Sequence, residues 1–125
     1  MRKVGNTREI NPGDNFNEIL NMVEYFHDWT IHGIHFNNSR NNDISISNFI
    51  MIFSDGYNRA IHNYVKIDFI NVIDISIRNI TSIPSEIDGI NIFKDASLLL
   101  FTSMDKETIA IKSELLRFSF FNNRF

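Results

Sequence analysis

The chain of 125 residues has no cysteine, two prolines, five glycines and one tryptophan. Without cysteine there is no disulfide framework, no thiolate zinc site and no thiol nucleophile, and a cytosolic address is the simplest expectation. Gly5, Gly13, Gly33, Gly56 and Gly89 never cluster, so no phosphate-cradling loop is present. No apolar run approaches the roughly 20 residues a membrane-spanning helix needs. The start, Met1–Gly13, is polar and carries Arg2, Lys3, Arg8 and Pro12, with no apolar core for a signal peptide. It reads as a poorly ordered lead-in to one domain covering 1–125. Strong charge is missing too: the net charge is −3. That is too small, and of the wrong sign, for a general nucleic-acid binder.

What is present points to a sheet. Ile occurs 21 times and Phe 12, against three Ala and four Val, so the apolar content is β-branched and aromatic. Seventeen Asn residues suit turns. Residues 1–10 carry +2, 11–95 carry −6 and 96–125 carry +1, a locally acidic middle able to steer a cationic partner.

Asp14 or Asn15 can cap a helix in which Phe16, Ile19, Leu20, Val23 and Phe26 recur at helical spacing. From Trp29 the period becomes two. Trp29 and Ile31 share one side while Ile34 and Phe36 share the other, so one buried face requires a bulge at Gly33. Asn37–Asp43 is a turn. Ile44 to Ile52 then alternate with apolar residues on both faces, as in a strand covered on two sides. After Ser54-Asp55-Gly56-Tyr57, two strands are expected: Ile61, Val65, Ile67 and Phe69 alternate in the first, and Ile73, Ile75 and Ile77 in the second. Pro84 and Asp88-Gly89 mark an irregular stretch before Ile90–Phe93. Leu98–Ser103, a turn at Met104–Glu107 and Thr108–Lys112 form a hairpin, followed by a final strand, Leu115–Phe121. The expectation is mainly β: an antiparallel sandwich or partly closed barrel of about seven or eight strands with one N-terminal helix.

No catalytic motif emerges. Gly-x-Ser-x-Gly is absent, and Asp68 and Asp74 read as surface carboxylates. His27, Asp28, His32 and His35 have the residue types of a zinc site, but on a regular strand residues 32 and 35 face opposite ways, so no metal or other cofactor is expected. His27 and Asp28 instead suit a helix-to-strand junction, where backbone groups need partners. The polar face formed by His62, Tyr64, Lys66, Asp68 and Asp74, beside the turn residues Asp55 and Tyr57, suits protein recognition because aromatics anchor and charges steer. The alternative is a barrel whose mouth holds a small apolar ligand with Trp29, Tyr57 and Tyr64.

The segment Tyr25-Phe26-His27-Asp28-Trp29-Thr30-Ile31-His32-Gly33-Ile34-His35-Phe36 resembles a phrase of small bacterial immunity proteins from polymorphic toxin systems, in which Phe-His-Asp leads into Ile-x-x-Ile-x-Phe. It is most similar to the immunity protein 50 group, whose later Val-x-Ile-x-Phe-x-x-Val phrase has its counterpart in Val65–Val72, followed by Ile73-Asp74-Ile75. The resemblance spans about Phe26 to Ile77. It implies a non-enzymatic antidote, found in the cytoplasm of the producing cell as a monomer or weak homodimer. Its partner would be the C-terminal domain of a cognate protein toxin, a nuclease in this expectation, with no nucleic acid or membrane as direct partner.

Overall fold

The computed structural model describes residues 7–36, 47–55, 63–78 and 80–121. Its eight antiparallel strands lie in one sheet that curls into a half-barrel. They are β1 Thr7–Ile10, β2 Thr30–Phe36, β3 Ser47–Ser54, β4 Tyr64–Ile77, β5 Ser85–Glu86, β6 Ile90–Asp95, β7 Leu98–Ser103 and β8 Ile109–Phe121. The order is β5-β2-β3-β4-β8-β7-β6, with β1 on the C-terminal half of β8. The mainly β, antiparallel expectation holds. The two-sheet sandwich does not, because β4 and β8 pair from Tyr64↔Phe121 to Ile77↔Ile109 and join both halves into one surface.

Asn71 sits in the middle of that pairing at φ 55, and its side-chain amide donates to Glu114 Oε1 at 3.1 Å. The buried side changes there. Val65, Ile67 and Phe69 face the core with Leu116, Phe118 and Phe120 before the bend; Val72, Ile75 and Ile77 do so with Ile109 and Ile111 after it. A register shift between Val72 and Asp74 completes the change. Asn enters the left-handed region at low cost, so one strand bends where sequence periodicity reads two. The same correction joins Thr108–Lys112 to Leu115–Phe121 as β8.

On β2 the register shifts between Ile31 and Gly33, which is the bulge the hydrophobic pattern requires. Ile31 then lies opposite Phe53, Ile34 opposite Met51 and Phe36 opposite Phe49, all on the core side. Within the polar start, Arg8 pairs with Phe118 and Ile10 with Leu116, so Thr7–Ile10 forms β1.

The expected helix shrinks to α1, Asn17–Met22. Asn15 Oδ1 accepts the Asn17 N–H at 2.9 Å, while Asp14 serves Asn11 instead. After Met22 the apolar spacing persists but the backbone does not. Glu24, Tyr25 and Phe26 have φ of 53, 55 and 55, a turn wound opposite to a helix. It drives Phe26 into the concave face, edge-on to Trp29 at 5.0 Å and 4.6 Å from Phe53. At about 1–2 kcal/mol each, the three left-handed residues cost about 3–6 kcal/mol together, which burial of the Phe26 ring, about 1.5–3 kcal/mol, offsets in part. With Ile19, Leu20 and Val23, these rings fill the half-barrel.

Candidate functional site

The convex face of the sheet carries the candidate recognition residues. Register places Ser54, Tyr64 and Phe121 in one cross-strand row, Ile52, Lys66 and Ser119 in the next, and Ile50, Asp68, Arg117 and Glu9 in a third. His32, displaced outward by the β2 bulge, brings its ring to 5.9 Å from that of Tyr64. Arg117 Nε and Nη2 both donate to Glu9 Oε2, at 3.0 and 2.9 Å, a fork that fixes β1 on β8. Ile52 and Phe121 remain exposed among these polar groups. The second apolar face read on β3 is therefore open at Ile52 rather than covered.

Sequence-predicted residues do not all reach this surface. Tyr64 and Lys66 do. Asp68 lies among them but is only 7% exposed, with Lys66 Nζ 3.9 Å away. Asp55 is buried at the end of β3, where its N–H donates to the Asn63 carbonyl, so it offers no open contact. Asp74 is exposed but lies beyond the bend, opposite Lys112. Tyr57 and His62 lie outside the described residues. Periodicity assigns Val65, Ile67 and Phe69 to the core side of β4 correctly but puts Ile73 there too, whereas past Asn71 it is Val72 that packs on the core and Ile73 that is exposed; burial of a carboxylate, in turn, depends on what stands beside it.

His27 and Asp28 tie the junction ahead of β2. His27 Nδ1 lies 2.8 Å from the Asp88 carbonyl, which requires the proton on Nδ1. The Asp28 N–H donates to Ile87 O at 3.1 Å, and the Ile87 N–H returns to Trp29 O at 2.9 Å. Asp28 itself has φ 61. His32 and His35 are both exposed, and among the described residues no three His, Asp or Glu side chains group as metal ligands. Trp29 is fully buried in the core while Tyr64 lies on the convex side, so these two rings of the ligand-binding alternative line no common mouth.

Two further features lie outside the sequence reading. A cleft of about 370 Å3 separates β1 from α1, lined by Arg8, Glu9, Ile10, Asp14, Asn15, Glu18 and Ile19. Its carboxylates are engaged: Glu18 with Arg8 at 2.7 Å, Asp14 with the Asn11 amide and Glu9 with Arg117. The second is an apolar groove of about 260 Å3 on the convex face at the other end, formed by Phe93, Leu100, Thr102, Lys106 and Ala110. One row, Asp74, Lys112, Leu100 and Phe93, runs into it across four strands. Lys112 Nζ meets Asp95 Oδ2 at 2.9 Å. The Asp95 hydrogen bond, then the charges of Asp95 and Asp74, hold the Lys112 ammonium above its usual titration range. The signal for this groove was the Leu98–Phe101 run, whose apolar residues fall on both faces of β7.

The chain matches no protein-family model, and comparisons with curated proteins and with solved structures give no match. No helix among the described residues is long and apolar enough to cross a membrane.

Proposed function

We propose that this protein is an immunity protein, a non-enzymatic antidote that binds and neutralises a cognate toxin domain in the cytoplasm. The observation that carries the reading is convergence. The two phrases that resemble immunity proteins, Phe26–Phe36 and Val65–Val72, lead into β2 and lie on β4, the two partners of β3, and carry His32 and Lys66, with Tyr64 just ahead of the second phrase, on one side of the sheet. Paired strands hold these groups with little ordering cost on association, and exposed Ile52 and Phe121 add apolar area beside them. An interface of about 1,200–2,000 Å2 supports tight inhibition. The acidic balance of residues 11–95 favours a basic toxin domain, as expected for a nuclease.

The test is co-expression with the product of the adjacent toxin gene, followed by pull-down and a growth assay. Co-purification and survival are expected. Toxicity that persists without any complex overturns the proposal.

A further inference from the structure

β6 ends the sheet, and its hydrogen-bonding phase is set by two contacts. The Met104 N–H donates to Gly89 O at 3.0 Å, which makes 89↔104 a hydrogen-bonded pair and, by alternation, assigns the main-chain groups of Asn91, Phe93 and Asp95 to β7. Those of Ile90, Ile92 and Lys94 therefore point away from the sheet. The Ile92 N–H confirms this: it donates to the side chain of its own neighbour, Asn91 Oδ1, at 2.9 Å. Ile90 is fully buried where the Glu24–Phe26 turn packs on β6, so among the described residues the free part of this edge is Ile92–Asp95, a template for another strand whose first amide is held only by a side chain that can swing away.

The groove described above opens beside this edge. Phe93 is 40% exposed, and Lys106 Nζ lies 5.8 Å from its ring centroid. Lys94 is exposed on the edge strand itself. Among the described residues neither lysine has a carboxylate within ion-pair distance, whereas neighbouring Lys112 does. Main-chain donors and acceptors, an apolar groove and two available cations together select an extended segment with one apolar side chain and local carboxylates, a local feature compatible with a toxin domain that is basic as a whole.

We propose that β6 is a strand-addition site for the partner toxin. An extended segment of the toxin pairs with Ile92–Asp95, displaces the Asn91 side chain from the Ile92 amide, lays an apolar residue against Phe93 and brings carboxylates to Lys94 and Lys106. This rests on the immunity-protein reading and adds how the partner is held. Asn91 has a role of its own: it caps the edge in the free protein and so limits pairing between copies.

The experiment measures binding of the purified toxin C-terminal domain by calorimetry to the full chain and to Asn91→Ala, Ile92→Pro and Lys106→Glu, with folding checked by circular dichroism. Ile92→Pro removes an outward amide that β7 does not use, and affinity is expected to fall about tenfold or more. Lys106→Glu weakens binding about threefold, and the deficit shrinks in high salt. Asn91→Ala frees the amide and tightens binding about twofold, a gain that a side-chain interface elsewhere would not produce. Should Ile92→Pro fail to fold, hydrogen exchange on the wild-type complex reads the same contact: the Ile92 and Lys94 amides are expected to gain protection. Toxin binding that is unchanged in every variant, or a complex that leaves these amides unprotected, overturns the edge site and leaves the function standing. A wild-type dimer dispersed by Ile92→Pro assigns the edge to a second copy and overturns the toxin strand. A wild-type chain that binds no toxin overturns both.

Discussion

Position 24 separates the periodicity of the sequence from the geometry of the fold, and the comparison of Glu24→Gly with Glu24→Ala measures it. Both variants lose the same side-chain interactions, so their difference isolates the backbone. If residues 16–26 formed a continuous helix, alanine would be the more stable by about 1 kcal/mol. Glu24 instead has φ 53, and Tyr25 and Phe26 follow at 55. A Cβ in that region costs about 1–2 kcal/mol. Glycine loses about 0.5–1 kcal/mol more backbone entropy on folding. Glycine should therefore exceed alanine by a few tenths of a kcal/mol to about 1 kcal/mol, reversing the helical order. In urea unfolding this appears as a higher midpoint for Glu24→Gly with an unchanged slope, since neither variant alters the surface exposed on unfolding. By thermal melting the reversal is worth about 1–5 °C for a domain of this size. An alanine variant that is more stable than the glycine variant refutes the left-handed turn, and with it the account of how Phe26 reaches the core.

Two further measurements probe other parts of the fold. Gly89 has φ 153, and a Cβ there would stand 3.1 Å from the Tyr25 carbonyl oxygen and 3.1 Å from Met104 Cγ, so Gly89→Ala should cost about 1–3 kcal/mol. Gly33, although at the bulge, has only the Ile52 side chain at 3.6 Å or more, so Gly33→Ala should be neutral or stabilising by up to about 1 kcal/mol in the same denaturation assay; a large loss at Gly33 contradicts this. Asp105 accepts the Ser103 hydroxyl at 2.6 Å, the Glu107 and Thr108 amides at 2.9 and 3.0 Å, and the Thr108 hydroxyl at 2.7 Å. The Ser103 hydroxyl foremost, then the amides, holds this carboxylate well below its ordinary value of 3.8. Because the folded-state value is depressed, the stabilisation is complete above the unfolded value and is lost as pH falls from about 4 towards 2 and below. Solvent around the turn limits its size, so Asp105→Ala should cost about 1 kcal/mol at pH 7. Asp105→Asn should remove that share of the acid dependence, and an unchanged stability profile between pH 5 and 2 refutes the assignment.

Side-chain alternation carried the strands with the strongest patterning. Ile31, Ile34 and Phe36 could face one core only with a bulge near Gly33, and the β7–β8 hairpin was marked by apolar runs on either side of the Met104–Glu107 turn. Asn71 and Ser113–Glu114 read as breaks because polar residues interrupt the period, yet each strand continues past them. α1 was legible at Phe16, Ile19 and Leu20; Phe26 kept helical spacing after the chain had reversed its hand at Glu24. Of the recognition residues, Tyr64 and Lys66 were placed on the right side of β4, while the burial of Asp55 and Asp68 and the groove at Phe93 were not visible.

By itself, the sequence determined that this chain builds antiparallel sheet, where most strands run and which side of most is apolar, because alternation and turn composition are local properties of neighbouring residues. The tertiary structure alone decided that there is one curled sheet rather than two, that Trp29 fills its interior and that β6 has no strand beyond it among the described residues. Those outcomes depend on which strand stands beside which, and pairing partners far apart in the chain are selected by the packing of the whole core.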